Sequence, residues 1–192
     1  FGRKALSYLP VDLNALLYKY EKDFERAATI FGNTVEAEEW RAAAEKRKDA
    51  MNRLMWDKIR GLYYDYNFKK EKRGTISSVA AYFALWAGLA DKQQAAAMVR
   101  ALRRFEHRGG LTTTDDRPLS YQMPGSVPVQ WAFPNGWAPL HFIVVQGLER
   151  YGYHDEATRI VAKWLHTNLD WFKREGVFLE KYNVVDPSKP PL

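Results

Sequence analysis

Residues 10–32 read PVDLNALLYKYEKDFERAATIFG. Apolar side chains recur in this stretch at steps of three or four residues, the spacing of one face of an α-helix. They are Leu13, Leu16, Leu17, Tyr20, Phe24, Ala27, Ala28 and Phe31. Pro10 precedes the pattern and Gly32 follows it, as helix ends prefer. The stretch predicts an amphipathic helix over residues 11–31, with these side chains forming one face.

Helical periodicity continues through most of the remaining chain. It predicts five more helices, over about residues 34–56, 77–89, 91–107, 140–151 and 155–174. Thr34, Ser77 or Ser78, and Asp91 are the expected caps of the first three of these. In the second and third helix pairs the first member is apolar on most sides and the second is amphipathic, as an inner and an outer layer require. We therefore predict an all-α fold of three helical hairpins, which is either an open bundle or half of a two-layered helical toroid.

Composition narrows the class of protein. The 192 residues carry 29 basic and 23 acidic side chains, a net charge of +6, and no cysteine, which excludes disulfides and thiolate metal sites. The longest apolar run, residues 79–89, is too short to cross a bilayer. The basic clusters at residues 69–73 and 100–108 match no nucleic-acid motif and are read as solvated faces. We expect no membrane or nucleic-acid partner, and the compartment, cytoplasmic or periplasmic or secreted, and the oligomeric state stay open.

A long loop between the fourth and fifth helices is the first candidate for function. Residues 109–139 contain five prolines and several aromatics, and a loop of this length in a small domain is usually functional. Aromatic faces can cover the apolar face of a sugar ring, and amide side chains can bond its hydroxyls. Gln130, Trp131, Asn135 and Trp137 supply both within eight residues. The alternative is that the tryptophans fill a gap between helices while Gln130 satisfies loop backbone.

A carboxylate after the last helix is the second candidate. Glu180 lies in the strand-like stretch FLEKYN, residues 178–183, and a carboxyl of tuned pKa is the usual acid or base of a glycosidase. A surface glutamate paired with Lys181 is the alternative. Asp12 is most simply a residue that satisfies free N–H groups in the first helical turn. Asn14 has less structural reason to stand inside a helix. The four histidines show no ligand spacing with carboxylates, so we expect no metal and no cofactor.

Five groups of residues, in order, resemble the C-terminal half of the catalytic domain of the trehalase family, glycoside hydrolase family 37. They are PVDLNALLY at 10–18, MWD at 55–57 with DYN at 65–67, GGL at 109–111, QWAFPNGWAP at 130–139 and EKY at 180–182. The resemblance implies an (α/α)6 toroid and inverting hydrolysis of α,α-trehalose to two glucoses. It implies that Glu180 is the general base. It also implies that the following residues line the sugar site: Gln130, Trp131, Asn135, Trp137, Asn14, Asp12 and Tyr182.

The sequence departs from the family pattern in three places. The family's general acid is an aspartate in a Gly-Trp-Asp stretch upstream of PVDLN, and this sequence has no such stretch. Ala132 stands where the family has aspartate. The family's glycine-rich segment after the Glu-Lys-Tyr motif would begin where the sequence ends. We therefore expect residues 1–192 to be a single C-terminal fragment of a trehalase-like catalytic domain, inactive alone. The alternatives are a related toroidal α-glycosidase acting on another glucoside or mannoside, and a non-catalytic sugar-binding or helical interaction module.

Overall fold

The structure, a computed structural model, describes residues 5–117 and 130–192. Six α-helices occupy these ranges: α1, Val11–Ile30; α2, Thr34–Leu54; α3, Phe83–Trp86; α4, Lys92–Ala101; α5, Ala138–Arg150; and α6, His154–Glu175. A 3₁₀ turn over Val79–Tyr82 leads directly into α3, and a second over Leu102–Arg104 ends α4. The prediction of an all-α chain built from six helices is confirmed.

Side-chain caps fix where the helices begin. Asp91 accepts from the backbone N–H of Gln94 at 2.7 Å, and the Gln94 side chain accepts from the N–H of Asp91, which makes a reciprocal capping box on α4. Ser78 caps the turn before α3 through the N–H of Ala80. The cap of α2 is Asn33, which accepts from Glu36 N. The prediction of Thr34 as that cap is wrong by one residue.

The helices form two layers. α1 packs on α2, α5 packs on α6, and α3 lies between α1 and α5. Gly147 on α5 permits close approach to α3, because a Cβ there would lie only 2.9 Å from the Cβ of Leu85 and 3.0 Å from the backbone N of Trp86. The hydroxyl of Tyr82 donates to the carbonyl of Met98 and joins the inner layer to α4. The inner layer is therefore α1, α3 and α5, with α2, α4 and α6 outside.

The three inner helices run parallel. Beside their N-terminal ends, Val79 N donates to Thr113 O and Thr113 N donates to Asn135 O, which links the start of α3 to the segment just before α5. At the opposite end, a cavity of about 470 Å³ is lined by Ile30, Gly88 and Arg150, which lie at the C-terminal ends of the three helices. The loops that precede the inner helices therefore share one end of the molecule, here called the N-terminal face.

Short antiparallel strands cover the N-terminal face. They are β1 Tyr8–Leu9, β2 Trp56–Asp57, β3 Leu62–Tyr63, β4 Tyr66–Asn67, β5 Lys72–Arg73, β6 Glu106–His107, β7 Gly110–Leu111, β8 Asn135–Trp137 and β9 Lys181–Asn183. They form one three-stranded sheet, β1-β4-β5, and the pairs β2-β3, β6-β7 and β8-β9. Helices predicted to reach Trp56 and His107 end earlier, because both residues pair with a partner strand instead of continuing the helix.

The main core lies between the layers, and its largest fully buried side chains include Tyr82, Leu85, Met98 and Leu148. A second, smaller cluster of Trp171, Tyr182 and Val184 fixes the C-terminal segment against α6. None of the helices in the described part of the chain combines the length and apolar character needed to cross a bilayer.

Two apolar faces are not covered. The first, the α1 flank, consists of Leu13, Leu17, Tyr20 and Phe24, all exposed. The second, the α6 flank, consists of Leu165, Leu169 and Phe172, also exposed. The spacing predicted one apolar face on α1, but the row that α1 turns into the core is a different one, Val11, Ala15 and Tyr18. Single exposed apolar residues are ordinary, but contiguous rows of this kind mark surfaces made for contact.

Candidate active site

A tight turn over residues 130–137 holds the predicted sugar-binding side chains. The carbonyl of Gln130 accepts two hydrogen bonds, from Nδ2 of Asn135 at 3.1 Å and from Nε1 of Trp137 at 3.0 Å. The backbone N–H of Asn135 donates to the carbonyl of Ala132 at 2.9 Å. Three hydrogen bonds therefore close the turn on itself and fix the backbone on both sides of Trp131. The Gln130 side chain is exposed.

The two tryptophans of the turn stack on each other. Their ring centroids lie 3.9 Å apart and their planes differ by 4°. Trp137 is 3% exposed and Trp131 is 50% exposed. Because each ring covers one face of the other, Trp137 serves as a support and Trp131 presents its outer face to solvent. Trp131 is thus the ring of the pair that offers a flat apolar surface to a ligand.

Strand pairing brings Glu180 to this turn. In the β8–β9 ladder Trp137 lies opposite Lys181 and Gly136 lies opposite Tyr182, so Glu180 is the residue that comes just before the ladder. Its side chain is exposed. The hydroxyl of Tyr182 accepts from the backbone N–H of Leu179 at 2.9 Å and closes a turn around Glu180. The backbone of Glu180 is therefore held next to the strand that carries Trp137, although the two residues are 43 positions apart in the sequence.

Tyr182 has a supporting place in this arrangement. It is 1% exposed, and its ring makes T-shaped contacts with the rings of Trp164 and Trp171, with centroid distances of 5.4 Å and 6.1 Å. Both tryptophans belong to α6. Its phenol hydroxyl is already bonded to Leu179, so Tyr182 orients the segment that carries Glu180 rather than facing solvent.

His141 is a residue of the site that sequence reasoning did not single out. Its Nδ1 donates to the carbonyl of Trp137 at 2.8 Å, and its Nε2 accepts from the backbone N–H of Leu111 at 2.8 Å. This pattern needs the neutral imidazole, and burial lowers the pKa of His141 to about 4. The ring also stacks on Trp164 at 4.0 Å. His141 thereby fastens β8 to β7, and its only sequence signal is a place in the first turn of α5.

Asp12 and Asn14 lie at the start of α1 on the same N-terminal face. The carboxylate of Asp12 accepts from Leu13 N at 2.7 Å. Asn14 donates through Nδ2 to the carbonyl of Pro10 and accepts from Nη1 of Arg47 at 3.2 Å. Arg47 in turn donates twice to the carboxylate of Glu21, so the Asn14 amide belongs to the α1–α2 contact.

The predicted site residues thus fall into two groups. Gln130, Trp131, Asn135, Trp137, Glu180 and Tyr182 come together at β8 and β9. Asp12 and Asn14 have no hydrogen bond to that group within residues 5–117 and 130–192. In the same residues, no three His, Asp or Glu side chains lie close enough together to hold a metal ion.

Comparison with protein families gives a match over nearly the whole chain. A family model described as trehalase matches residues 2–190. The cytosolic neutral trehalase of Kluyveromyces lactis is 39% identical over 94% of this chain, and a probable trehalase of Eremothecium gossypii is 37% identical over the same share. The chain spans about a quarter of the length of these curated relatives: 25% of the first and 26% of the second.

Solved structures with the same fold are toroidal glycosidases. The neutral trehalase Nth1 from Saccharomyces cerevisiae superimposes with a TM-score of 0.85 and 34% identity, covering 94% of this chain and 35% of that one. A GH63 mannosylglycerate hydrolase from Thermus thermophilus superimposes with a TM-score of 0.74 at 23% identity, over 94% and 41% of the two chains. The three hairpins are part of an (α/α)6 toroid.

Proposed function

Because the chain belongs to the trehalase family, we propose that it forms part of an inverting glycoside hydrolase that cleaves α,α-trehalose into two glucose molecules. One observation carries the proposal: strand register joins an exposed tryptophan face, Trp131, to an exposed carboxylate, Glu180, at one end of the inner helices. A flat apolar ring and a carboxylate beside it are what cleavage of a sugar acetal needs.

Glu180 is the general base in this proposal. In an inverting glycosidase one carboxylate takes a proton from water, and a carboxylic acid ~6.5–9.5 Å away protonates the leaving oxygen. The water oxygen bonds to the anomeric carbon as the bond to the leaving glucose breaks, on the opposite face. The side chain of Glu180 is exposed and can reach such a water. The acid is an aspartate of a Gly-Trp-Asp stretch outside residues 1–192.

The sugar-contacting surface is Trp131, with Gln130 beside it. The exposed side-chain amide of Gln130 can donate to one hydroxyl and accept from another. Asp12 and Asn14 approach the sugar from the α1 side of the N-terminal face. Within residues 5–117 and 130–192 the Asn14 amide donates one of its two N–H groups, and the other is its means of contact with the sugar. Trp137 and Tyr182 do not contact the sugar: Trp137 supports the ring of Trp131, and Tyr182 holds the turn that carries Glu180.

The segment is incomplete as a catalytic unit in this proposal. The α1 flank and the α6 flank are apolar and exposed, as expected where further hairpins of a ring would pack. The pocket wall on those sides and the general acid would then come from other parts of a longer polypeptide. Residues 1–192 alone are expected to be inactive. The relatives described as cytosolic support a cytosolic location.

Ala132 favours a second candidate substrate class. Its side chain is fully buried in the turn that carries Trp131, and it brings no carboxylate to this position. Loss of a polar group beside a sugar site changes which hydroxyl pattern is satisfied. Another glucoside or a mannoside is therefore the alternative to trehalose, and a module that binds sugar without cleaving it is the alternative outside enzymes.

The deciding experiment uses the intact polypeptide that contains residues 1–192. Release of glucose from trehalose and a panel of glucosides, and of mannose from a panel of mannosides, is measured for the parent, for Glu180→Gln and for Glu175→Gln. Glu175 is an exposed carboxylate at the end of α6 that pairs with Arg174, so it is the matched control. We expect Glu180→Gln to lower kcat by ~10²–10⁴ with sugar affinity kept, and Glu175→Gln to change nothing.

Three results would count against the proposal. Full activity of Glu180→Gln would remove Glu180 from the role of base. Tight trehalose binding without any turnover by the parent would favour the binding module. Turnover by residues 1–192 alone would contradict the proposed location of the acid outside this segment.

A further inference from the structure

The side chain of Asn135 is buried and fully engaged with the protein's own backbone. It is 0% exposed. Its Nδ2 donates to the carbonyl of Gln130 and to the carbonyl of Leu192, both at 3.1 Å, and its Oδ1 accepts from the backbone N–H of Leu192 at 3.1 Å. Both amide hydrogens are therefore in use, and no donor is left for a sugar hydroxyl.

The contact with Leu192 is a paired one. The amide of Asn135 bonds the N–H and the carbonyl of one residue at once, which fixes that residue in two directions. Leu192 lies 57 positions after Asn135, and its own side chain is exposed. Leu192 therefore takes part in the contact through its backbone groups alone, and the contact does not depend on the leucine side chain.

The segment that follows Glu180 returns across the tryptophan turn before it reaches Asn135. Val184 N donates to the carbonyl of Pro134 at 3.1 Å, and Gly109 N donates to the carbonyl of Val184 at 2.7 Å. The segment is bonded at Val184 and again at Leu192. Asn135 is the residue that holds the second of these points and, through Gln130, also holds the backbone before Trp131.

We infer that Asn135 is a positioning residue, which ties the segment after Glu180 to the turn that carries Trp131 and so fixes the sugar platform relative to the carboxylate. This role replaces the direct sugar contact expected of Asn135. The effect on catalysis rests on the proposed function. A misplacement of about 1 Å between a bound substrate and a catalytic group can cost ~10²-fold in rate. The effect of losing the contact is therefore expected in kcat more than in KM.

The test uses the two ends of the same contact. Asn135→Ala removes every bond of the amide. Leu192→Pro removes the N–H that Asn135 accepts and places the ring Cδ against Asn135 Oδ1, so it breaks this side of the contact while leaving the Leu192 carbonyl in the chain. Leu192→Ala keeps the N–H and is the matched control. Loss of one net hydrogen bond corresponds to a change of ~2–12-fold.

In the intact polypeptide we expect Leu192→Pro to lower kcat for trehalose ~3–10-fold and Asn135→Ala to lower it further, with KM little changed. The double variant should be no worse than Asn135→Ala, since both changes act through one contact. Leu192→Ala should match the parent. A rise in KM for Asn135→Ala with Leu192→Pro unaffected would instead show direct sugar binding and overturn the inference.

A second measurement does not depend on activity. Two parallel tryptophans at 3.9 Å give an exciton couplet in far-ultraviolet circular dichroism. The couplet should weaken in Leu192→Pro and in Asn135→Ala and persist in Leu192→Ala, with thermal unfolding confirming that each variant is folded. An unchanged couplet in both variants would overturn the inference. If both variants show a weakened couplet but the parent cleaves no trehalose, the positioning role is kept and only the proposed function is contradicted.

Discussion

Acidification should lower the free energy of unfolding through His141, which lies beside the candidate site. The folded chain holds this imidazole neutral, with a pKa of about 4 against the ordinary 6.5, because the ring is buried between Trp164 and the β7–β8 backbone. The unfolded chain takes up the proton near pH 6.5. Between about pH 6.5 and 4 the unfolded state therefore binds more protons than the folded state, and the free energy of unfolding falls as pH falls.

The size of the effect follows from the shift in pKa. A difference of about 2.5 pH units corresponds to about 3 kcal/mol lost between pH 6.5 and 4, with no further loss from this group below pH 4. Glu106 titrates in a separate window, because its bonds to Arg159 and Lys163 lower its pKa to about 2. Its stabilising contribution is lost only as pH falls below about 4.5. Burial raises the pKa of Asp65, which acts with the opposite sign and is common to all variants, so the difference in slope between variants is what reports His141.

The assay is urea unfolding at closely spaced pH values for the parent, His141→Gln and His166→Gln. His166 is an exposed histidine of α6 paired with Asp170, so it is the matched control. We expect His141→Gln to be less stable at pH 7.5, through its lost hydrogen bonds, but to have a flatter pH dependence. His107, whose pKa burial also lowers, leaves a small residual slope in every variant. Equal slopes for the parent and His141→Gln would refute the assignment.

Two further predictions concern the tryptophan pair and the α1–α2 contact. Trp131→Ala should cost about 1 kcal/mol, the value of the lost ring stack, while weakening trehalose binding in the intact polypeptide. Trp137→Ala should destabilise the chain by about 3–5 kcal/mol. Thermal unfolding and fluorescence titration separate the two, and equal destabilisation would contradict the support and platform roles. Arg47→Leu should cost about 2–3 kcal/mol in urea unfolding because it leaves Glu21 buried and unpaired, while Arg174→Leu, at the exposed pair with Glu175, should cost little. Equal costs for the two variants would argue against a buried charge at Glu21.

The sequence was sufficient for the five longer helices because each spans several turns of regular apolar spacing. It was not sufficient for α3, which has only four residues because the segment before it, Val79–Tyr82, is a 3₁₀ turn. It was also not sufficient for the orientation of α1. Leu13, Leu17 and Tyr20 follow helical spacing as well as Val11, Ala15 and Tyr18 do, and nothing in the pattern tells which row meets α2 and α3.

Most of the short strands could not be predicted for a related reason, and only β9 falls in a stretch that the sequence marks as strand-like. A strand of two or three residues has no period to detect, and 43 residues lie between β8 and β9, so neither Asn135–Trp137 nor Lys181–Asn183 indicates its partner. The sequence did single out Trp131, Trp137 and Glu180 as candidates from their side-chain chemistry, and the structure brings their segments together at β8 and β9. The roles of Asn135 and Asn14 were not, because each depends on a hydrogen bond to a residue far along the chain, Leu192 and Arg47.

The place of Glu180 follows from a mismatch in helix length. α6 has 22 residues and α5 has 13, so α6 is longer by nine residues, about 14 Å of helix. Since the two helices form an antiparallel hairpin, α6 extends beyond the start of α5 and past the tryptophan turn before it ends at Gly176, whose φ of +75° reverses the chain. The chain must then come back to pair with β8, and Glu180 lies at the outer edge of that return. The position of Glu180 is thus set by the residue at which α6 ends and by the interactions that hold the following segment, namely the pairing of β9 with β8 and the hydrogen bonds between Asn135 and Leu192.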